Sequence, residues 1–416
     1  MMIAYKNCNI FDGLNDKLQE NMTVITDGKM ITDIFPSGSK KVENVEVIDL
    51  TGFTLCPGFF DCHLHLNLEE VTRKENMMMD QTNAASGMFL ENYNAYVALR
   101  SVDAAYKTLM AGFTTVFDGG GANWVDVALK DAITHNRVMG PNYYICGKVV
   151  SAWNSQLFRG VEEPNSGPWE MRRAVRTRLY HGVDHIKLMM SAPIRSVGRS
   201  LSKPIFTMEE IKALTDEAHS ADLVVSAHTR SAKAANDSLK GGVDAIIHGT
   251  GLDEEGIELL LKSNKYLYPT LASASYKAND NLLYAKTQAV VDMYENTGRE
   301  QWECLKKAYK AGVKMVLSTD TGCVGLDHGD NAEEFLRMAE LGMSNVESLR
   351  AGTSEAAKAM RLDDKVGTIK VGMTADMVVL ADNPLKNLKA VKDVRMVIKG
   401  GQIVKDTRKV PVHETI

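Results

Sequence analysis

The sequence predicts an α/β chain in which a (β/α)8 TIM barrel is joined to a small composite β-sandwich domain. Three observations carry this expectation. Eight short apolar segments alternate with helical stretches across residues 57–362, the pattern of a parallel barrel. The flanking segments, 1–56 and 363–416, read as short strands broken by turn residues, each with too little apolar surface to fold alone. Polar residues of metal-ligand type recur at the C-terminal ends of the apolar segments, the face on which such barrels build their sites.

The N-terminal strand segments are Met2-Ile3-Ala4-Tyr5, Met22 to Thr26 closed by Asp27-Gly28, and Val45 to Leu50 closed by Thr51-Gly52. Asp-Gly is a strong hairpin signal. The eight barrel strands are expected at 58–66, 113–118, 143–147, 184–189, 223–228, 244–248, 266–271 and 313–320. Helices are expected between them at 96–111, 169–181, 208–221, 232–240, 253–263 and 301–311, several closing on Gly. Two loops are long, 67–95 and 148–168, and both leave strand C-termini, as binding loops do. The run Met77-Met78-Met79 in the first reads as loop packing more readily than as a substrate wall. After a helical region at 344–360, strands return at 367–369, 372–380 and 394–404, the last split by a Gly400-Gly401 hairpin turn. The two terminal sets are expected to pack together as one unit interrupted by the barrel.

Composition narrows the function classes. With 416 residues, 44% hydrophobic and 24% charged, the chain has material for more than one core. A net charge of −5 gives no global attraction to nucleic acid or anionic lipid. The six cysteines lack CxxC spacing and read as free thiols of a reducing compartment. There is no signal-peptide pattern and no apolar run of membrane-spanning length, so a cytoplasmic location is expected. The expected partner is a small-molecule substrate, with no nucleic acid and no membrane, and a homo-oligomer is the expected state.

The first barrel strand ends in His63-Leu64-His65, and residues two apart on a strand share a face. Both rings can therefore reach one cation. Lys187 lies within Ile186-Lys187-Leu188-Met189, where a charged amine is costly to bury unless neutralised or modified. A lysine carboxylated by CO2 becomes an anionic carbamate with two oxygens, able to bridge two cations. The fifth strand ends in His228, the sixth in His248 and the eighth in Asp320. Any one of these alone reads as a hydrogen-bonded core residue, a salt-bridge partner or a helix cap. Six on one predicted face read as a site. His135, His181, His185, His219, His328 and His413 do not share this placement and read as structural or surface residues.

Pro57-Gly58-Phe59-Phe60-Asp61-Cys62-His63-Leu64-His65, with Asp184-His185-Ile186-Lys187, Ser226-Ala227-His228, Ile247-His248-Gly249 and Ser318-Thr319-Asp320, resembles the amidohydrolase superfamily. Within it, the chain is most similar to the imidazolonepropionase-like and prolidase-like metal-dependent hydrolases. The resemblance implies two divalent metal ions, most often Zn2+: His63, His65 and Asp320 on one, His228 and His248 on the other, with N6-carboxylated Lys187 bridging. It implies hydrolysis of a C–N bond in a dipeptide or N-acyl amino acid by a metal-bridging hydroxide, with Asp320 as the catalytic base and then acid. Substrates of prolidase-like relatives present a carboxylate, for which Arg159, Arg195, Arg199 and Arg230 are the candidate partners. Two departures stand out. Relatives often carry Tyr soon after the fifth-strand histidine, where this chain has Thr229-Arg230, and the third-strand loop reads Ser151-Ala152-Trp153-Asn154 without a histidine. The alternative reading is a deaminase or cyclic-amide hydrolase acting on a small heterocycle. A scaffold without catalysis is disfavoured by the intact ligand set.

Overall fold

A computed structural model describes residues 2–68, 93–153, 162–192, 203–274, 288–323 and 326–408. The N-terminal strands are β1 (Met2–Ile10), β2 (Gln19–Asp27), β3 (Met30–Pro36), β4 (Glu46–Asp49) and β5 (Thr54–Pro57). They are followed by β6 (Phe59–Leu64), β7 (Phe113–Asp118), β8 (Asn142–Tyr144), β9 (Val149–Ser151) and β10 (Glu162–Pro164). Next come β11 (His185–Met189), β12 (Val224–Thr229), β13 (Ala245–His248), β14 (Tyr266–Tyr268) and β15 (Lys314–Met315). The chain closes with β16 (Met377–Leu380), β17 (Val394–Lys399) and β18 (Gln402–Asp406).

Strands from both termini form one eight-stranded sheet in the order β18-β17-β16-β5-β1-β2-β3, with β4 also paired to β1. Its central seam is antiparallel: Thr54 to Pro57 pair with Leu380 to Met377. Ile3, Val24, Leu55, Val379 and Ile398 belong to one apolar cluster, so neither terminal segment completes that core without the other. Both expected hairpins are present. Gly28-Lys29 lies between the paired residues Asp27 and Met30, and Gly400-Gly401 between Lys399 and Gln402. Both glycines of the second turn have positive φ, 54° and 75°, as a two-residue turn matched to strand twist requires.

The second large sheet has seven parallel strands in the order β10-β9-β11-β12-β13-β14-β15. β6, β7 and β8 form a third sheet. Strands β6, β7, β11 and β13 are buried along their whole length, as strands covered on both faces must be, which is why they read as continuous apolar runs. Helices return the chain between them, including Met208–His219, Ala232–Lys240, Glu254–Ser263 and Gln288–Lys310. The first of these starts at a capping box in which the Thr207 side chain and Glu210 exchange bonds with each other's backbone N–H. Backbone bonds outside the ladders run from Cys62 N–H to the Leu317 carbonyl (2.9 Å) and from Asp184 N–H to the Ile145 carbonyl (2.8 Å).

By contact density the chain divides into two compact units. One comprises Met1–Asp61, Tyr106–Thr115 and Gly329–Ile416; the other comprises Cys62–Ala105 and Val116–His328. Among the described residues, no helix is long and apolar enough to cross a membrane. All six cysteines are free thiols.

Candidate metal centre

The C-terminal ends of the parallel strands bring six buried polar side chains together. His63 lies in β6 and His65 just beyond it; their rings meet edge to face with centroids 5.0 Å apart, as two residues on one strand face should. Nε2 of each approaches Asp320 Oδ1, at 3.3 Å from His63 and 3.4 Å from His65. Asp320 is brought there by backbone bonds: the N–H groups of Thr319 and Asp320 both donate to the His63 carbonyl, at 3.1 and 2.7 Å. Nitrogen and oxygen donors of these three residues lie within 4.8 Å of one another, a spacing on which a cation can be held.

On β11, Lys187 pairs in register with Ser226, and Met189 pairs with His228. Paired residues share a face, so Lys187 points the same way as His228 from two positions deeper, and its four-carbon stem spans the difference. Lys187 Nζ reaches 3.1 Å from His63 Nε2. His248 arrives differently. Its register partner is Thr229, so regular pleating would turn its ring away from His228. Its backbone is left-handed instead, with φ 72°, and Nε2 of His248 lies 2.9 Å from Nδ1 of His228. Thr270 and Asp320 are left-handed too, with φ 48° and 59°. Such backbone is unfavourable for a β-branched residue and concentrates at functional sites.

Burial governs the electrostatics. It pushes the His63 imidazolium down to about 3, with the neighbouring Lys187 charge adding to the effect. Burial likewise lowers Lys187 to about 8. His228 and His248 are held well below the ordinary imidazole value by burial and then by the Arg230 guanidinium. For Asp320 burial acts upward, but hydrogen bonds from His63 and His65 overcome it and keep the carboxylate ionised. The result is neutral imidazoles at His63, His228 and His248 and an ionised carboxylate at Asp320, the protonation states in which these groups donate to a cation. His228 Nε2 is buried and has no hydrogen-bond partner among the described residues, an orphan atom that a metal ion would satisfy. The donor set therefore fits borderline-hard divalent metal.

Surrounding groups hold these side chains in place. His248 Nδ1 is 2.7 Å from Thr270 Oγ1 and His65 Nδ1 is 3.3 Å from the Gly120 carbonyl, contacts that fix ring orientation. Gly119 is the residue the rings demand, because a Cβ there would lie 2.1 Å from His63 Cε1 and 2.9 Å from His65 Cε1. Asp118, at the end of β7, accepts from Leu66 N–H (2.8 Å), Gly120 N–H (2.9 Å) and Tyr143 Oη (2.7 Å), tying both segments that flank His65. Sequence position alone does not single out Asp118, Tyr143 or Thr270. The available signal for Asp118 is an acid ending the second strand as Asp320 ends the eighth.

Of the four candidate arginines, Arg159, Arg195 and Arg199 lie outside the described residues, as does Met77-Met78-Met79. Arg230 is buried directly after β12. Its Nη1 donates to Gln301 Oε1 (2.7 Å) and Thr250 Oγ1 (3.1 Å).

The chain resembles known proteins over most of its length. The model of the Amidohydrolase family matches residues 54–404, and the chain belongs to that family. It is 27% identical to an ochratoxinase from Aspergillus niger over 396 residues, covering 84% of this chain and 75% of that protein. A crystal structure of a Xaa-Pro dipeptidase with methionine bound in its active site superposes with a TM-score of 0.87 at 28% identity, covering 97% of this chain and all of that one. A prolidase complexed with N-methylphosphonate-L-proline gives 0.85 at 28% identity, covering 98% of this chain and all of that one. This chain is a hydrolase acting on carbon–nitrogen bonds.

Proposed function

We propose that this amidohydrolase cleaves the amide bond of a small substrate that carries a carboxylate, such as a dipeptide or N-acyl amino acid, with two divalent metal ions, most commonly Zn2+. The observation that carries the reading is Lys187, a buried amine 3.1 Å from His63 Nε2 whose charge is felt at His228 and His248. A cation left among histidines that hold metal would oppose binding, whereas its N6-carboxylated form would supply the missing anionic oxygens. In this reading His63, His65 and Asp320 would hold one ion and His228 and His248 the other, and carboxylated Lys187 would supply an oxygen to each. The same reading takes residues 57–362 as the closed (β/α)8 barrel, and 1–56 with 363–416 as the composite β-sandwich domain.

When bound, the ions lower the pKa of water and polarise a carbonyl oxygen. The protein's residues do the rest. A carboxylate oxygen of Asp320 takes the proton of the attacking water and passes it to the leaving nitrogen, which would otherwise depart as an unstable anion. The guanidinium of Arg230 meets the substrate carboxylate and sets which amide lies over the ions. Related activities are consistent with this choice, since the similar structures include a Xaa-Pro dipeptidase and a prolidase bound to a proline derivative.

The test is a screen of zinc-loaded protein against dipeptides, N-acyl amino acids and cyclic imides, scored for amine and for ammonia. Amine release from the first two classes is expected. Ammonia release, or turnover of cyclic substrates alone, would replace this reading with the heterocycle alternative. Lys187→Ala is expected to lose metal and activity together, with partial recovery in a short carboxylic acid. Full metal content and full activity in that variant would remove lysine from the centre.

A further inference from the structure

Gln301 lies on the helix Gln288–Lys310, is buried, and has every polar atom engaged. Its Oε1 accepts from Arg230 Nη1 (2.7 Å) and Thr250 Oγ1 (3.2 Å). Its Nε2 donates to the Pro269 carbonyl (2.7 Å) and, at 3.4 Å, to Thr270 Oγ1. The amide can take only this orientation. Guanidinium groups only donate and a prolyl carbonyl only accepts, so reversing the side chain would set donor against donor and acceptor against acceptor. On the far side, Thr270 Oγ1 is 2.7 Å from His248 Nδ1, and Thr270 sits in left-handed backbone that this bonding helps to hold. A continuous chain of bonds therefore runs from Arg230 through Gln301 and Thr270 to His248.

We propose that Gln301 is a positioning residue that couples the cation reading the substrate carboxylate to the histidine on the metal side, and so sets the preference for anionic substrates. The proposal rests on the reading of the centre given above. It deepens that reading by naming the residue that decides whether Arg230 is available. A neutral amide holds the guanidinium by one nitrogen without cancelling its charge. A carboxylate at the same position would pair with Arg230 and occupy the charge the substrate needs, and it could no longer donate to Pro269 and Thr270. Arg230 is already a charge that both His228 and His248 feel, so its neutralisation would reach the metal side as well.

The experiment compares full-length zinc-loaded wild type with Gln301→Glu and Gln301→Met, using L-methionine and L-methioninamide as probes in calorimetry. Zinc affinity and melting temperature are measured in parallel. Wild type is expected to favour methionine over its amide. Gln301→Glu should weaken methionine about tenfold or more while changing methioninamide less than about threefold, because only the carboxylate competes with the new side chain. Gln301→Met should lower zinc affinity roughly 10–100-fold through loosened His248, with the protein still folded. An unchanged methionine-to-methioninamide ratio in Gln301→Glu, or unchanged zinc affinity in Gln301→Met, overturns the coupling. Binding is scored separately from turnover. Failure of wild type to release amine from any substrate in the screen would strike the amide-hydrolase reading and leave this test standing.

Discussion

The eight-stranded terminal sheet and the seven-stranded parallel sheet both rest on buried apolar strands but differ in what their strand ends carry. The first closes over an apolar cluster drawn from both ends of the chain, with Leu55 and Val379 fully buried within it. The second buries Lys187, His228 and His248 where its strands end, and Asp320 lies just beyond its last strand. Backbone follows the same division. Between β1 and β5 the left-handed residues other than glycine are Asn7, Asn21 and Asn44, the side chain that tolerates this conformation best. At the parallel strand ends they are His248, Asp320 and Thr270, of which the β-branched Thr270 is the least suited to it. Apolar burial stabilises both sheets, and the parallel sheet in addition carries its polar chemistry at the strand ends at some expense to stability.

Four substitutions probe that contrast. Asp320→Asn should give the largest effect, a fall in kcat of about 10^2- to 10^4-fold even at saturating zinc, with weaker zinc binding and an unaltered or higher melting temperature of the metal-free protein. A destabilised fold with intact turnover would reverse the assignment of roles. Leu55→Ala should do the opposite, costing about 2–5 kcal/mol in denaturant unfolding with specific activity preserved at low temperature. Gly119→Ala comes next, since its Cβ must displace the His63 ring; zinc affinity should drop about tenfold, read by competition with a chromogenic chelator, with little change in unfolding.

A further effect, read only as pH dependence, is expected at Asp126, which is fully buried and accepts from Gly147 N–H at 2.9 Å. Burial, reinforced by nearby Asp118, raises its carboxyl from the ordinary 3.8 to about 7. Across that interval the native protein holds a proton that the unfolded chain has released, so stability declines as pH rises and levels off above the folded value. Asp126→Asn should remove that decline. Melting curves at pH 5 and pH 8 check it, and an equal decline in both proteins would assign the pH dependence to other groups.

Much of this was legible in the sequence because burial on both faces writes itself as apolar runs. The segments at 113–118 and 244–248 match β7 and β13 closely, and the helix expected at 232–240 has those bounds. The ligand-type residues were legible for the same reason: a histidine or lysine inside such a run has no solvent to face. What escaped was set by tertiary contact. The run 313–320 yields only a two-residue strand, since its later residues bond irregularly to β6 and Asp320 turns left-handed. β3 is broken by Thr32-Asp33 in its middle, β5 is only four residues long and ends in Pro57, and β9 and β10 lie inside what reads as a loop. The helix beginning at Gln288 is longer than the expected 301–311; a glycine and mixed polar residues hide its first half from a sequence reading. Gln301 could not be found at all. A glutamine in a helix carries no signal until the groups at both ends of its amide are known.

The seam between β5 and β16 joins residues about 320 positions apart in the chain. At roughly 5–20 residues per second of synthesis, β5 waits on the order of 16–64 s for its partner to be made. During that interval its unpaired edge stands open to any other strand nearby. Newly made chains should therefore depend on ribosome-associated chaperones more than their mature stability suggests, and truncation before Met377 should leave a product that aggregates even though the parallel sheet is complete.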